Sequence, residues 1–430
     1  MVKIPYGAGL IDVDIKGAEL LERSTTKRDD KRDSKDASEV IQRAVKNPIG
    51  TKQLGEILAA KGKGDNIVIV VDDHTRNAPT EMMLDALAEE IGQHKDKNVS
   101  LLVACGTHPP PSTGDLRRIL GKYYRHNHGQ FKVMIHDCDA HDLVYVGTTA
   151  RGTPVRLNRA YMDADIRILT GDITLHYYAG FGGGRKSILP GIASRETIRK
   201  NHALLIDERA RTANIEDNPV HLDMSEAASF APPDFVLNTV ADASGDVVAA
   251  YAGELNAVFT KGAAVAKELF LHKTGLFDVL VVSAGGFPKD RNLYQATKAI
   301  QNCYQAVVPG GGLILVAECR EGVGDDYFEE WMNEYKSYEA AEEAIRTNFV
   351  LGGHKAFYMR KVMKRVQLSI VSELDPDMLV RWGIQSYKSK SLSAAVEMGL
   401  KDRYKDNKDN DNLKIGIVRN GLDTLLVPKE

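Results

Sequence analysis

Short runs of β-branched and aliphatic residues recur along this chain, and each ends in a polar cluster. Asn66-Ile-Val-Ile-Val-Val71 runs into Asp72-Asp-His-Thr-Arg76, and Val99-Ser-Leu-Leu-Val-Ala104 runs into Cys105-Gly-Thr-His108. Ile166-Arg-Ile-Leu-Thr170 and Phe277-Asp-Val-Leu-Val-Val282 lead into glycine-containing segments in the same way. Runs this short and this apolar suit strands buried on both faces. Helix-period stretches at 81–93 and 256–271 alternate with them. That alternation predicts an α/β fold of parallel or mixed sheets flanked by helices.

At 430 residues the chain is too long for one ordinary core. Two α/β domains are expected, 1–270 and 271–430, with the active site in the interdomain cleft. Ligands of such sheets bind beyond the carboxyl ends of the strands, where the polar clusters after Val71, Ala104 and Thr170 lie. The 59 acidic and 56 basic residues leave a net charge of -3, with no basic footprint for nucleic acid. No apolar run approaches the roughly 18 residues of a membrane span. The N-terminus alternates like a strand and has no signal-peptide core, so a cytoplasmic location is expected. Cys105, Cys138, Cys303 and Cys319 are widely spaced and read as free thiols. The stretches 23–38 and 401–411 are charged and read as an exposed tether and as a loop or frayed helix.

The densest chemistry lies between Thr170 and His202. His176 and the pair Tyr177-Tyr178 precede Gly180, Gly182, Gly183 and Gly184, which deliver Arg185 and Lys186. A helix-like segment after Pro190-Gly191 then ends at His202. Glycines permit positive φ, and successive N–H groups in such a turn can hold an anion. A nucleotide-triphosphate loop is excluded, because Arg185 stands where that motif needs glycine before the lysine.

Elsewhere, Arg76 suits a two-point clamp on a carboxylate, with Asp72 and Thr75 beside it for hydroxyl groups. A surface loop would carry the same residues. His108 precedes three prolines that restrict its loop, as an acid/base group held in place requires, although an inert loop-exit histidine fits as well. Tyr294, Gln295 and Lys298 share one helix face and can converge on one ligand, or mark an amphipathic surface. The cluster His136-Asp-Cys138-Asp-Ala-His141 mixes hard and soft ligands without a metal spacing and reads as a turn. Gly310-Gly-Gly312 precedes a strand, the wrong order for a dinucleotide fingerprint. Trp331 and Trp382 read as packing residues.

DDHTRNAP, GTHPPP, HYYAGFGGGRKSILPGI followed by NH, and SAGGFPKDRNLYQATKA occur in this order. Together they resemble the nickel-pincer-nucleotide lactate racemase family across nearly the whole chain. The resemblance implies a 2-hydroxy acid racemase or epimerase that transfers hydride through a 2-keto acid. Its cofactor would be a nickel-bearing mononucleotide derived from pyridinium-3,5-bisthiocarboxylate, attached to Lys186 and ligated by His202. His108 and His176 would be the alternating bases. Arg76, Tyr294, Gln295 and Lys298 would bind the substrate. Asp72, Thr75, Gly182, Gly183, Gly184 and Arg185 would surround the cofactor, its phosphate on the glycine turn. Cofactor-synthesis enzymes would be partners, with neither nucleic acid nor membrane involved. A sugar-acid epimerase and a non-catalytic protein binding the cofactor or an anion stand beside this reading.

Overall fold

In a computed structural model of the chain, residues 2–21, 34–62, 64–94, 97–124, 131–406 and 413–429 are described. They divide into two compact units. Residues 34–269 form one, and residues 2–21 join 270–429 in the other.

The first unit is built on a six-stranded sheet. Its order is Val247–Gly253, Phe235–Ala241, Ile166–Asp172, Asn66–Asp72, Asn98–Ala104, Lys132–Ile135. All neighbours are parallel except Val247–Gly253, which runs antiparallel at one edge. Ile67 through Val71 are buried without interruption, as both covered faces require. Ile67, Ile69 and Val71 pack with Leu84, Leu87 and Ile91 of the Thr80–Ile91 helix. The chain moves outward from Asn66–Asp72 through Asn98–Ala104 to Lys132–Ile135. It then returns to place Ile166–Asp172 on the other side of Asn66–Asp72. The strand order therefore reverses between these two strands, and their carboxyl ends flank the crevice that such a switch opens. Val144–Thr148 and Pro154–Leu157 form a separate antiparallel hairpin.

The second unit carries a fully parallel sheet, ordered Gln385–Tyr387, Gln367–Val371, Val307–Val316, Phe277–Ser283, Ile415–Val418, Glu19–Leu20. Its last strand comes from the start of the chain. The expectation that 1–270 forms one domain is corrected by this pairing, Glu19 against Gly416 and Leu20 against Ile417. The hairpin Val2–Tyr6/Gly9–Val13 follows it there. Ile4 and Val13 enter the core of Val279, Val281 and Ile417, and the Gly7 N–H donates to Asp290 Oδ2 at 2.7 Å. Burial of apolar side chains and the bond from Gly7 to Asp290 hold the hairpin in the second unit.

Of the two charged stretches, residues 23–33 and 407–411 lie outside the described residues. The Ser34–Lys46 helix begins inside the first of these stretches, where no glycine or proline interrupts 34–38.

Candidate active site

Asp73 follows the Asn66–Asp72 strand and is buried. Its Oδ2 lies 2.6 Å from His108 Nδ1, and its Oδ1 accepts from the Thr75 N–H (3.1 Å) and hydroxyl (2.7 Å). Burial raises the Asp73 carboxyl, but the His108 hydrogen bond and charge, Thr75 and Arg76 outweigh it and hold it below the usual range. An ionised carboxylate only accepts, so neutral His108 carries its proton on Nδ1 and keeps the lone pair on Nε2. The His108 backbone is fixed as well, its N–H bonded to Cys105 O at 2.8 Å.

His176 is arranged with the opposite polarity. The Ala179 N–H donates to its Nδ1 at 3.2 Å, so the neutral ring carries its proton on Nε2. Burial first, then Lys186, Arg76, His202 and Arg185, hold its pKa well below the histidine value. One histidine thus offers an accepting Nε2 and the other a donating one.

Tyr178, absent from the sequence-based site, joins these groups. Its ring lies 4.4 Å from that of His176 and 5.2 Å from that of His202, edge-on to both. Lys186 Nζ sits 6.0 Å from its centroid. His176, Lys186 and His202 therefore surround one aromatic ring.

His202 is buried near the end of the Arg195–Ala203 helix, whose cap Ser194 accepts from the Thr197 N–H. Its Nδ1 lies 3.1 Å from Asn201 Oδ1. Asn201 Nδ2 donates to Asp223 (2.9 Å) and Val220 O (3.2 Å), which orients the amide so that Oδ1 accepts. Thr149 and Thr153 hydroxyls hold Asp223 in turn. His202 is therefore an Nδ1–H tautomer with its lone pair on Nε2. Burial first, then Lys186 and His108, push its pKa down to about 3. A buried imidazole, neutral and oriented by an outer hydrogen bond, is what a metal-ligating histidine requires. With a lysine amine beside the same ring, the residues present fit a tethered metal cofactor.

Three N–H donors of the glycine turn bond within the protein. The Gly182 N–H donates to Thr174 O (2.7 Å), the Gly184 N–H to Asn238 Oδ1 (2.9 Å) and the Lys186 N–H to Gly183 O (3.1 Å). These donors are spent within the protein. A Cβ on Gly183 would meet Ile173 at 2.7 Å and one on Gly184 would meet Phe259 at 3.0 Å, and both residues have positive φ. The glycines serve a close-packed turn. Arg185 has a structural task too. Its guanidinium donates to the carbonyls of Ala179, Phe181 and Gly183 and stacks 4.1 Å from the Phe259 centroid. It clamps the turn that presents Lys186.

Asp72 and Asp172 end the two strands beside the switch point. Burial raises the Asp72 carboxyl to about 6, with Asp73 adding and Arg76, the Asp172 N–H and Lys186 opposing. Burial, then Asp72, raises Asp172 to about 7 against a hydrogen bond from Thr239. Arg76 is exposed, close enough to act on Asp72, Asp73 and His176. The structure therefore assembles Asp72, Thr75, Arg76, His108, His176, Lys186 and His202 around the ends of three neighbouring strands.

In the second unit, Tyr294, Gln295 and Lys298 lie on the Leu293–Cys303 helix, capped by Asn292, which accepts from the Gln295 N–H at 3.0 Å. They are its half-buried positions between the buried Leu293, Ala296, Thr297 and Ala299. His136 is a satisfied core residue, bonded to Ala193 O and Asn158 Nδ2. Among the described residues Asp137, Cys138 and Asp139 are spaced to hold an ion, but Arg195 already pairs with both oxygens of Asp139. Trp331 and Trp382 are buried in packing, and all four cysteines are buried thiols.

The lactate racemase N-terminal domain family matches residues 6–213, and the lactate racemase C-terminal domain family matches 273–426. The chain is 30% identical to a lactate racemase of Thermoanaerobacterium thermosaccharolyticum, over 100% of this chain and 99% of that one. It is 30% identical to a lactate racemase of Lactiplantibacillus plantarum, over 90% of each. The solved lactate racemase apoprotein from T. thermosaccharolyticum superimposes with a TM-score of 0.87 at 29% identity, covering 100% of both chains. A Thermotoga maritima protein shares the fold at a TM-score of 0.65 and 18% identity, over 91% of this chain and 98% of that one.

Proposed function

The chain belongs to the lactate racemase family and is an isomerase, and we propose that it interconverts the enantiomers of lactate or a similarly small 2-hydroxy acid. The opposed polarity of His108 and His176 in one cluster carries this reading. A racemase handles the substrate hydroxyl in two orientations, and one group must accept a proton while the other supplies one.

The C2 hydrogen beside a carboxylate is too weakly acidic for easy removal as a proton. Loss as hydride, coupled to loss of the hydroxyl proton, avoids a carbanion and gives a planar 2-keto acid. Lys186 would tether, and His202 would ligate the nickel of, a pyridinium pincer mononucleotide whose contribution when bound is to accept that hydride. His108 takes the hydroxyl proton at Nε2 from one enantiomer. After the keto acid has turned, His176 gives its Nε2 proton to the carbonyl oxygen as the hydride returns. The proton taken by His108 passes back to His176 so that both rings end neutral, and the reverse reaction runs the same transfers backwards. Asp73 holds His108 in the accepting tautomer and stabilises its charge once protonated. Arg76 and Lys298 are assigned to the substrate carboxylate, with Tyr294 and Gln295 beside them. Asp72, raised toward neutrality, can both donate and accept toward hydroxyl groups.

Protein made together with the cofactor-synthesis enzymes should racemise L-lactate in D2O without placing deuterium at C2. Deuterium at C2 would mean abstraction as a proton and would refute the hydride route. Absence of turnover in cofactor-loaded protein would favour a binding role instead.

A further inference from the structure

Lys355 is a buried amine with no part in this scheme. It lies on the Gly353–Arg365 helix with 1% of its surface exposed. Its Nζ donates to Thr297 Oγ1 at 3.1 Å and stands 5.0 Å from the centroid of the Tyr294 ring. The Thr297 hydroxyl donates onward to the Tyr294 carbonyl at 2.9 Å. Lysine is seldom retained in such burial when a methionine of similar length would pack without cost. Thr297 and Tyr294 both belong to the helix turn that carries Gln295 and Lys298.

We propose that Lys355 is a positioning residue for the Tyr294–Gln295–Lys298 face, fixing the Tyr294 ring and the Thr297 turn so that a substrate carboxylate meets a preset Lys298. This rests on the reading that the face binds the carboxylate of a 2-hydroxy acid. The charge environment gives Lys355 a second signature. Burial first, then Lys298, hold its pKa well below the lysine value, while Asp325 at the N-cap of the Asp326–Glu334 helix opposes them. Tyr294, the titratable ring facing it, is itself pushed up by burial and Asp325. A carboxylate at Lys298 offsets the repulsion between the two amines and favours the charged form of Lys355. Binding then takes up protons at Lys355.

The test is calorimetric titration of L-lactate into cofactor-loaded enzyme, in two buffers of different ionisation enthalpy, alongside steady-state kinetics. Wild type, Lys355→Met and Lys298→Met are compared. Lys355→Met should lose the proton uptake and raise KM roughly tenfold, the scale of one lost buried hydrogen bond, with kcat within about twofold. If Lys298→Met raises KM while Lys355→Met leaves KM and proton uptake as in wild type, the positioning role is overturned and the carboxylate site stands. If Lys298→Met leaves KM unchanged, the carboxylate site itself is wrong and the proposal falls with it. Should Lys355→Met fail to fold, Lys355→Gln keeps a donor for Thr297. It should lose only the proton uptake, and uptake equal to wild type would overturn the role.

Discussion

Replacing Asp73 with asparagine changes one oxygen to an amide nitrogen inside a fully assigned network. Asp73 accepts three hydrogen bonds, two from Thr75 at Oδ1 and one from His108 at Oδ2. The Thr75 N–H is a backbone donor and cannot reverse, so the amide oxygen stays on that side. The NH2 then faces His108 Nδ1, and the ring answers by moving its proton to Nε2, where it can no longer accept the substrate's. Loss of the correct tautomer costs an acid–base site on the order of 10³–10⁴ in kcat, or roughly 4–5.5 kcal/mol of barrier. Ground-state contacts to the substrate are untouched, so KM should stay within about threefold. The assay is conversion of L-lactate followed by chiral chromatography, with the melting temperature as control. A folded Asp73→Asn enzyme whose kcat lies within about threefold of wild type would refute the assignment of His108 as an oriented base.

Asp72 and Asp172, at about 6 and about 7 against 3.8, hold their protons more tightly in the folded state. Their contribution favours folding below the unfolded value and is lost as pH rises through 6 and 7. Asp172→Asn should therefore stabilise the protein at pH 8 by on the order of 2 kcal/mol and by less at pH 5. An equal gain at both pH values by thermal denaturation would contradict this. Asn201→Ala removes the partner of His202 Nδ1 and should weaken nickel retention roughly 10–100-fold in chelator competition, leaving the mass of the Lys186 adduct unchanged. Undiminished retention would remove His202 as an oriented ligand. Arg185→Met removes charge-assisted hydrogen bonds to the buried Ala179 and Phe181 carbonyls and should cost roughly 3 kcal/mol, or about 6–12 °C in melting temperature. A shift under about 2 °C would remove Arg185 as the clamp of the turn.

The strands were legible because a parallel sheet covered on both faces demands unbroken apolar runs, as at Ile67–Val71. Their loop ends were legible as a site because strand order concentrates ligands there. The pairing of Glu19 with Gly416 was not, since an edge strand two residues long has no local signature of its distant partner. In Asp72-Asp73 two adjacent acids look alike in sequence, yet Asp73 orients His108 and stays ionised while Asp72 is raised toward neutrality. Only the surroundings separate them. The glycine cluster correctly announced positive φ, but its N–H partners, Thr174 O and Asn238, come from other segments. Asn201, which orients its neighbour His202, bore no mark beyond adjacency. Tyr178 stood in plain view as half of an aromatic pair and became part of the site only through the three side chains around it.

The central claim is that His108 and His176 are held with opposite proton polarity, and nitrogen chemical shifts of protein labelled with ¹⁵N-histidine read it directly. At neutral pH the account predicts protonated Nδ1 in His108 and protonated Nε2 in His176, each assigned by the loss of its signal on substitution. The same tautomer in both rings would contradict it.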